Sequence, residues 1–150
     1  MKFSAKGEYG VRAILDIAIN QKSGPVQVKE ISRRQSIPER FLEQVMASLK
    51  KAALVEAFRG AQGGYLLAKS ARKISLADVI QALEGPLTLM ECVSEEESSQ
   101  RCDQVSLCVI RDVWIGVQSA IVEALASITV EDMCQKLREK ESSVGYMYQN

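Results

Sequence analysis

Histidine does not occur in this sequence of 150 residues. Imidazole is the commonest metal ligand in proteins and the most frequent general acid or base in enzymes. A metal site in this chain must therefore be completed by cysteine, by a carboxylate, or by a ligand from outside the chain. Catalysis by a histidine base is excluded.

Long apolar runs are also absent, since no run approaches the about eighteen residues that a membrane-spanning helix needs. Residues 2–7 lack the apolar core of a signal peptide. We therefore expect a cytoplasmic protein without a membrane partner. The Gly-Lys phosphate loop of nucleotide enzymes and the usual nucleophile motifs are missing as well, which argues against an enzyme.

What the chain does contain is a cluster of three cysteines, Cys92, Cys102 and Cys108, spaced C-x9-C-x5-C in a polar, acidic stretch. In a reducing cytosol, clustered cysteines are more often ligands or redox sensors than structural disulfides. Zinc is disfavoured because the C-x2-C pairs of zinc sites are missing. A disulfide or sulfenate switch stays open. The fourth cysteine, Cys134, has the helical spacing of an ordinary buried residue.

The net charge of zero conceals an asymmetry along the chain. Residues 1–85 carry 14 Lys and Arg against 8 Asp and Glu, whereas residues 86–150 carry 5 against 11. The first segment is thus suited to a polyanion such as nucleic acid. An acidic protein partner would suit it too, so a protein-interaction module is the alternative.

Helical periodicity dominates the start of the chain. Ser4 can cap a first helix that runs to about Asn20. A short second helix stops near Ser36, and Pro38 lies in the first turn of a third. The third helix buries one apolar face and exposes Glu39, Arg40, Glu43, Gln44 and Lys50. Two short helices joined by about three residues are typical of a helix-turn-helix, although an ordinary helical hairpin has the same pattern.

Two short strands, 55–59 and 65–67, flank a stretch with three glycines in five residues. This pattern predicts a β-hairpin. Beside a helix-turn-helix such a hairpin is a wing, and Arg59 at its tip is placed to reach into a minor groove.

The remaining helices follow from caps and periodicity. Ser75 and Asp78 predict the start of a fourth helix that Gly85 ends. An apolar stripe with three- and four-residue steps predicts one helix over 109–127, wide enough to indicate burial against the same helix of a second copy. Thr129 then caps a short final helix.

The sequence therefore predicts a mainly α fold with a small β-wing. Residues 1–85 form a winged helix-turn-helix DNA-binding domain, and residues 86–108 form a cysteine-containing sensor loop. Residues 109–140 contain a long dimerisation helix and a short C-terminal helix, and residues 141–150 form a flexible tail.

Four stretches, 4–10, 41–44, 59–67 and 128–130, resemble the Rrf-two (Rrf2) family of bacterial winged-helix transcription regulators. That family includes an iron-sulfur-cluster regulator and a nitric-oxide-sensitive repressor. The resemblance covers about residues 1–137 and implies a homodimer on double-stranded DNA. It implies that Glu43 and Gln44 face base edges and that Arg59 enters a minor groove. Arg40 departs from the small polar residue of the iron-sulfur-cluster regulator, which implies a different target sequence.

The resemblance also implies a 2Fe-2S cluster held by Cys92, Cys102 and Cys108, which alters DNA affinity. Members similar to the iron-sulfur-cluster regulator have a histidine three residues after the last cysteine, where this chain has Arg111. In other members a carboxylate of the first helix is the fourth ligand, in some cases across the dimer, and Glu8 matches that position. An unsaturated site, or one completed by an exogenous thiol, is the alternative to Glu8. A glutamate there is favourable without a metal too. A cluster-free thiol switch on the same fold is the alternative.

Overall fold

The computed structural model describes residues 2–94 and 107–147. Within these segments the elements follow the order α1 (Ala5–Asn20), α2 (Val28–Gln35), α3 (Glu39–Lys51), β1 (Val55–Phe58), β2 (Gly64–Leu67), α4 (Leu76–Glu84), α5 (Val109–Ala126) and α6 (Val130–Met147). The predicted fold class, mainly helical with a small wing, is confirmed.

The helix-turn-helix consists of α2 and α3. Ser36 ends α2 in the left-handed region, with φ of 54°, and the Ser32 hydroxyl donates a hydrogen bond of 2.6 Å to the carbonyl of Ile37. Pro38 lies one residue earlier than the sequence predicts, as the N-cap of α3 and not within its first turn. Its extended ψ of 131° turns its carbonyl toward the amides of Phe41 and Leu42, which donate to it.

The wing is an antiparallel pair in which Val55 lies opposite Leu67 and Phe58 lies opposite Gly64. Its base is fixed to the segment before α2, because Val26 and Tyr65 exchange two backbone hydrogen bonds of 2.9 and 2.8 Å. Gly64 has φ of +146°, and a Cβ there would overlap the backbone of Val26. The glycine therefore permits the close approach that fixes the wing beside the helix-turn-helix.

In the described residues, an apolar core joins α6 to the helices α1–α3, which together with the wing are called the reading head. Its fully buried members include Ile14 and Ile17 of α1 with Leu42 and Met46 of α3. Val130 and Cys134 of α6 belong to the same core. The C-terminal helix thus packs against the winged helix-turn-helix.

The starts of α4 and α6 are joined directly. Ser75 and Thr129 form an isolated antiparallel bridge, with the Leu76 amide donating to the Ile128 carbonyl at 2.7 Å. Each helix opens with a capping box, and the backbone and hydroxyl of Thr129 donate to Asp132 at 2.8 and 2.7 Å. These hydrogen bonds lower the pKa of the Asp132 carboxyl.

Helix α6 is longer than the sequence predicts, because it continues to Met147 where a tail was expected from residue 141. The segment lacks an apolar stripe, but its polar side chains bond along the helix. Ser142 and Ser143 donate to the carbonyls of Arg138 and Glu139, each at 2.9 Å. Local hydrogen bonding therefore accompanies a helical turn that hydrophobic periodicity does not reveal.

Asp16 is buried at 3 % exposure and ties α1 to α2. The guanidinium of Arg34 donates to both carboxylate oxygens, at 2.7 and 3.0 Å, and Gln35 donates to one of them at 2.9 Å. Asn20 contributes a further contact of 3.4 Å. The hydrogen bond to Asp16 raises the pKa of Arg34. A buried carboxylate needs such donors because desolvation otherwise destabilises its charge.

We expect Arg34→Ala to lower the free energy of unfolding by about 3 kcal/mol, because it leaves the Asp16 carboxylate buried without its cation. Urea unfolding followed by circular dichroism measures the loss. Arg138→Ala is the matched control, since the Arg138–Glu131 pair is exposed, with side-chain exposures of 60 % and 33 %. That change should cost less than about 1 kcal/mol. Equal losses for both variants would contradict a special role for Asp16.

Candidate functional site

The predicted DNA-reading residues lie on the outer face of α3. Arg40, Glu43, Gln44 and Lys50 are all exposed. The opposite face of the helix is buried in the core through Leu42, Val45, Met46 and Leu49. Burial of one face fixes which side chains α3 presents to a partner.

The wing adds a second surface beside this helix. Arg59 follows β1 and is exposed. It lines an open cleft of about 470 Å³ between the wing and the start of α2, together with Gln27, Val28 and Tyr65. Gln27 also donates to the Ala61 carbonyl at the wing tip, at 3.4 Å. The sequence did not single out Gln27, although its place just before α2 is an N-cap position.

The first and third cysteines flank the predicted sensor loop. Cys92 lies in a single 3-10 turn, Glu91–Val93, and Cys108 is the N-cap residue of α5. Both are free thiols and half-buried. Cys102 falls outside the described residues.

Helix α5 holds the chain that enters this loop. Arg111 Nε donates to the backbone carbonyl of Cys92 at 2.8 Å, and the side-chain oxygen of Gln118 accepts from the Leu89 amide at 3.0 Å. Cys92 therefore lies against the first turn of the helix that Cys108 caps.

Glu8 is exposed in the first turn of α1, where it pairs with Arg12 at 3.6 Å. Arg12 also donates through Nη2 to the carbonyl of Gln35, at the end of α2. The Arg12 guanidinium lies 5.8 Å from the centre of the Tyr9 ring, and that ring meets Phe41 of α3 edge-on at 5.3 Å. The neighbours of Glu8 thus reach both helices of the helix-turn-helix.

The described residues do not assemble a complete metal site. Over residues 2–94 and 107–147, no three cysteine or carboxylate side chains are grouped so that they could hold a metal ion. Glu8 as a ligand therefore stays a prediction. Cys134 is 2 % exposed in the core, and burial raises the pKa of its thiol. It is an ordinary core residue, as its spacing predicts.

The apolar stripe of α5 lies open in the single chain. Within the described part of the sequence, none of this helix's residues is buried. Six of its large apolar side chains are between 38 % and 72 % exposed, namely Val109, Ile110, Val113, Trp114, Val117 and Val122. Exposed apolar side chains contiguous along one helix are typical of an interaction surface.

None of the helices that the structure describes combines the length and apolarity needed to cross a membrane.

Comparison with known proteins gives one consistent match. The model of the Rrf2 family, described as an iron-dependent transcriptional regulator, matches residues 3–136. The transcriptional regulator CymR of Bacillus subtilis is 35 % identical over 133 residues, which are 89 % of this chain and 89 % of that protein.

Two further similarities are to proteins named IscR. IscR of Xenorhabdus nematophila is 35 % identical over 89 % of this chain and 79 % of its own length. The solved structure of T. potens IscR has a TM-score of 0.77 and 41 % identity, covering 99 % of this chain and 96 % of that one.

We expect maleimide to label Cys92 and Cys108 well before Cys134 in the reduced, metal-free protein. Cys134 is shielded, and its raised pKa leaves a smaller thiolate fraction at any given pH. Its labelling should become appreciable only at more alkaline pH than for an ordinary thiol, or on unfolding. Peptide mass spectrometry over a time course measures each rate. Labelling of Cys134 as fast as that of Cys92 would contradict this assignment.

Proposed function

The chain belongs to the Rrf2 family of transcriptional regulators, and from this we propose that it is a homodimeric regulator whose DNA affinity depends on an iron-sulfur cluster at the cysteine loop. That it is a DNA-binding transcription regulator and not an enzyme follows from the family. The observation that carries the sensing proposal is the placement of Cys92 against the helix turn that Cys108 begins.

The exposed face of α3 and the wing support DNA reading. A recognition helix enters a major groove with its polar face, and the wing follows the adjacent backbone or minor groove. We assign Arg40, Glu43 and Gln44 to base edges, Lys50 to phosphate and Arg59 to a minor groove.

The open stripe of α5 supports a homodimer. A second copy would cover the same apolar face on both chains, as two-fold symmetry requires. Two reading heads then bind DNA when their separation is near one helical turn, about 34 Å. A change in the loop before α5 would alter that separation.

The donor set fits an iron-sulfur cluster. The two thiols of Cys92 and Cys108 are free and half-buried at the two ends of the loop, and thiolates are the usual ligands of such clusters. Cys92, Cys102, Cys108 and Glu8 would hold it, and a 2Fe-2S cluster would supply sensitivity to iron and redox state. The Glu8 carboxylate is exposed and only loosely paired with Arg12, so it can exchange that partner at small cost.

The contacts of Glu8 support a link from sensor to reader. If Glu8 leaves Arg12 to become a ligand, Arg12 loses the ion pair that helps to position it beside Gln35 and the Tyr9 ring. Those contacts lie against α2 and, through Phe41, against α3. Ligation at Glu8 would therefore change the support of both helices that meet DNA.

A thiol switch without a cluster is the second candidate. It is favoured by the same two free thiols and by the similarity to CymR. Oxidation of two loop cysteines to a disulfide would constrain residues 92–108 much as shared ligation does.

We expect anaerobic purification to give a coloured protein that contains iron and acid-labile sulfide. Glu8→Ala should lose its iron faster because an oxygen ligand is removed. Glu30→Ala is the matched control, since Glu30 is also an exposed first-turn glutamate. Visible absorbance and elemental analysis measure the content. A colourless protein without iron would contradict the cluster proposal, and oxidant-dependent DNA binding by that protein would support the thiol switch.

We expect Arg59→Ala to weaken binding to a DNA site selected from a random library by about 1–3 kcal/mol. Lys50→Ala should cause a smaller loss that is similar on selected and random DNA, because a phosphate contact carries no sequence information. Lys140→Ala on α6 is the exposed basic control. Fluorescence anisotropy at fixed salt measures each affinity. An equal loss on both DNAs for Arg59→Ala, or a loss confined to the selected site for Lys50→Ala, would contradict the two roles.

A further inference from the structure

We infer that Arg111 is a positioning residue of the cysteine site, whose guanidinium holds Cys92 at a fixed place beside the first turn of α5. The expected effect of Arg111 on a bound cluster rests on the proposed function. The hydrogen bond from Arg111 to Cys92 belongs to the metal-free chain and does not depend on that function.

Residues 85–92 meet α5 at three places, which follow one another in antiparallel order along the helix. Gly85 and Leu87 line a small apolar cavity of about 230 Å³ with Val122 and Leu125. Leu89 is held further along by Gln118, and Cys92 is held near the start of the helix by Arg111. Positions 111, 118 and 122 are seven and four residues apart, which places them on one helix face.

Of the three contacts just described, the one from Arg111 is the one made to Cys92 itself. The bond to Gln118 fixes the backbone at Leu89, three residues before Cys92. The bond from Arg111 fixes the carbonyl of Cys92 itself. Val93 beside it is buried at 7 % exposure, so the 3-10 turn is supported from two sides. Without Arg111, Cys92 can move while Leu89 stays in place.

The position of Arg111 in sequence explains its effect on both cysteines. It is the third residue of α5, whose N-cap is Cys108. A side chain from this turn that binds Cys92 therefore sets the relation between the first and third thiols. Its positive charge, at the positive end of the helix dipole, also favours an anionic ligand set. Arg111 cannot bind iron, and it acts through the backbone of a residue that can.

The first experiment uses the reduced, metal-free protein and limiting maleimide. We expect Arg111→Ala to raise the labelling rate of Cys92 on the order of threefold or more, because the released 3-10 turn exposes the half-buried thiol more often. Labelling of Cys134 should stay unchanged and reports on global unfolding. Arg111→Lys keeps the charge and should rescue only part of the effect, because a lysine lacks the planar guanidinium. Gln118→Ala is the matched control, since it frees Leu89 and leaves the Cys92 carbonyl bonded.

The second experiment uses the anaerobically purified protein and an iron chelator. Arg111→Ala should lose visible absorbance about tenfold faster than the unchanged protein, and Gln118→Ala should lose it less than about threefold faster. Circular dichroism melting of each variant confirms the fold, and Arg111→Gln replaces the alanine variant if that one does not fold.

The outcomes separate this inference from the proposed function. An unchanged Cys92 labelling rate in Arg111→Ala overturns it, as does an equal rise at Cys92 and Cys134 or an equal effect of Gln118→Ala. If the purified protein contains no iron but Cys92 reacts faster in Arg111→Ala, the positioning role is supported and the cluster proposal is contradicted. If the protein is coloured but Arg111→Ala changes neither the labelling rate of Cys92 nor the rate of iron chelation, the cluster proposal stands and the positioning role is contradicted.

Discussion

A charge taken out of water must be matched by donors, and Asp16 is the charge on which the arrangement of this fold depends. Its carboxylate binds Arg34 and Gln35 from the end of α2 and so fixes that helix against α1. The tight turn at Ser36 then directs α3, and the Val26–Tyr65 bridge directs the wing. Every buried side-chain nitrogen and oxygen in the described residues has a partner. The exposed residues of the reading head therefore have defined positions relative to α1.

Helix α1 is also the element against which several other helices pack. Its Gly10 allows Leu83 of α4 to approach so closely that a Cβ would overlap that side chain. Val130 and Cys134 bring α6 to the same core. Glu8 and Arg12 lie on its outer surface, next to Gln35. A sensor residue on α1 would therefore act on a helix to which the reading head, α4 and α6 are all attached.

Local signals in the sequence were sufficient for much of the fold. The cap at Ser4, the capping box at Ser75 and the glycines of the wing each involve residues a few positions apart, and each predicted its element correctly. Three contacts join residues that are distant in sequence, and no periodicity of the sequence predicts them. They are the ion pair of Asp16 with Arg34, the bridge between Ser75 and Thr129, and the hydrogen bond from Arg111 to Cys92. The extension of α6 was missed because polar side chains and not an apolar stripe accompany it. The candidate site was predicted by residue type, whereas its supports came only from the structure.

The bridge between Ser75 and Thr129 gives α5 the mechanics of a lever. The C-terminal end of this helix is held by the backbone pairing of Ile74 and Leu76 with Val130 and Ile128, which makes that end the fulcrum. The helix is eighteen residues long, or about 27 Å at the usual helical rise. A tilt of about 5° at the fulcrum would therefore displace the start of the helix, where Cys108 lies, by about 2 Å. A shift of about 2 Å at the cysteine end would therefore correspond to a rotation of only about 5° at the end that is joined to α4 and α6.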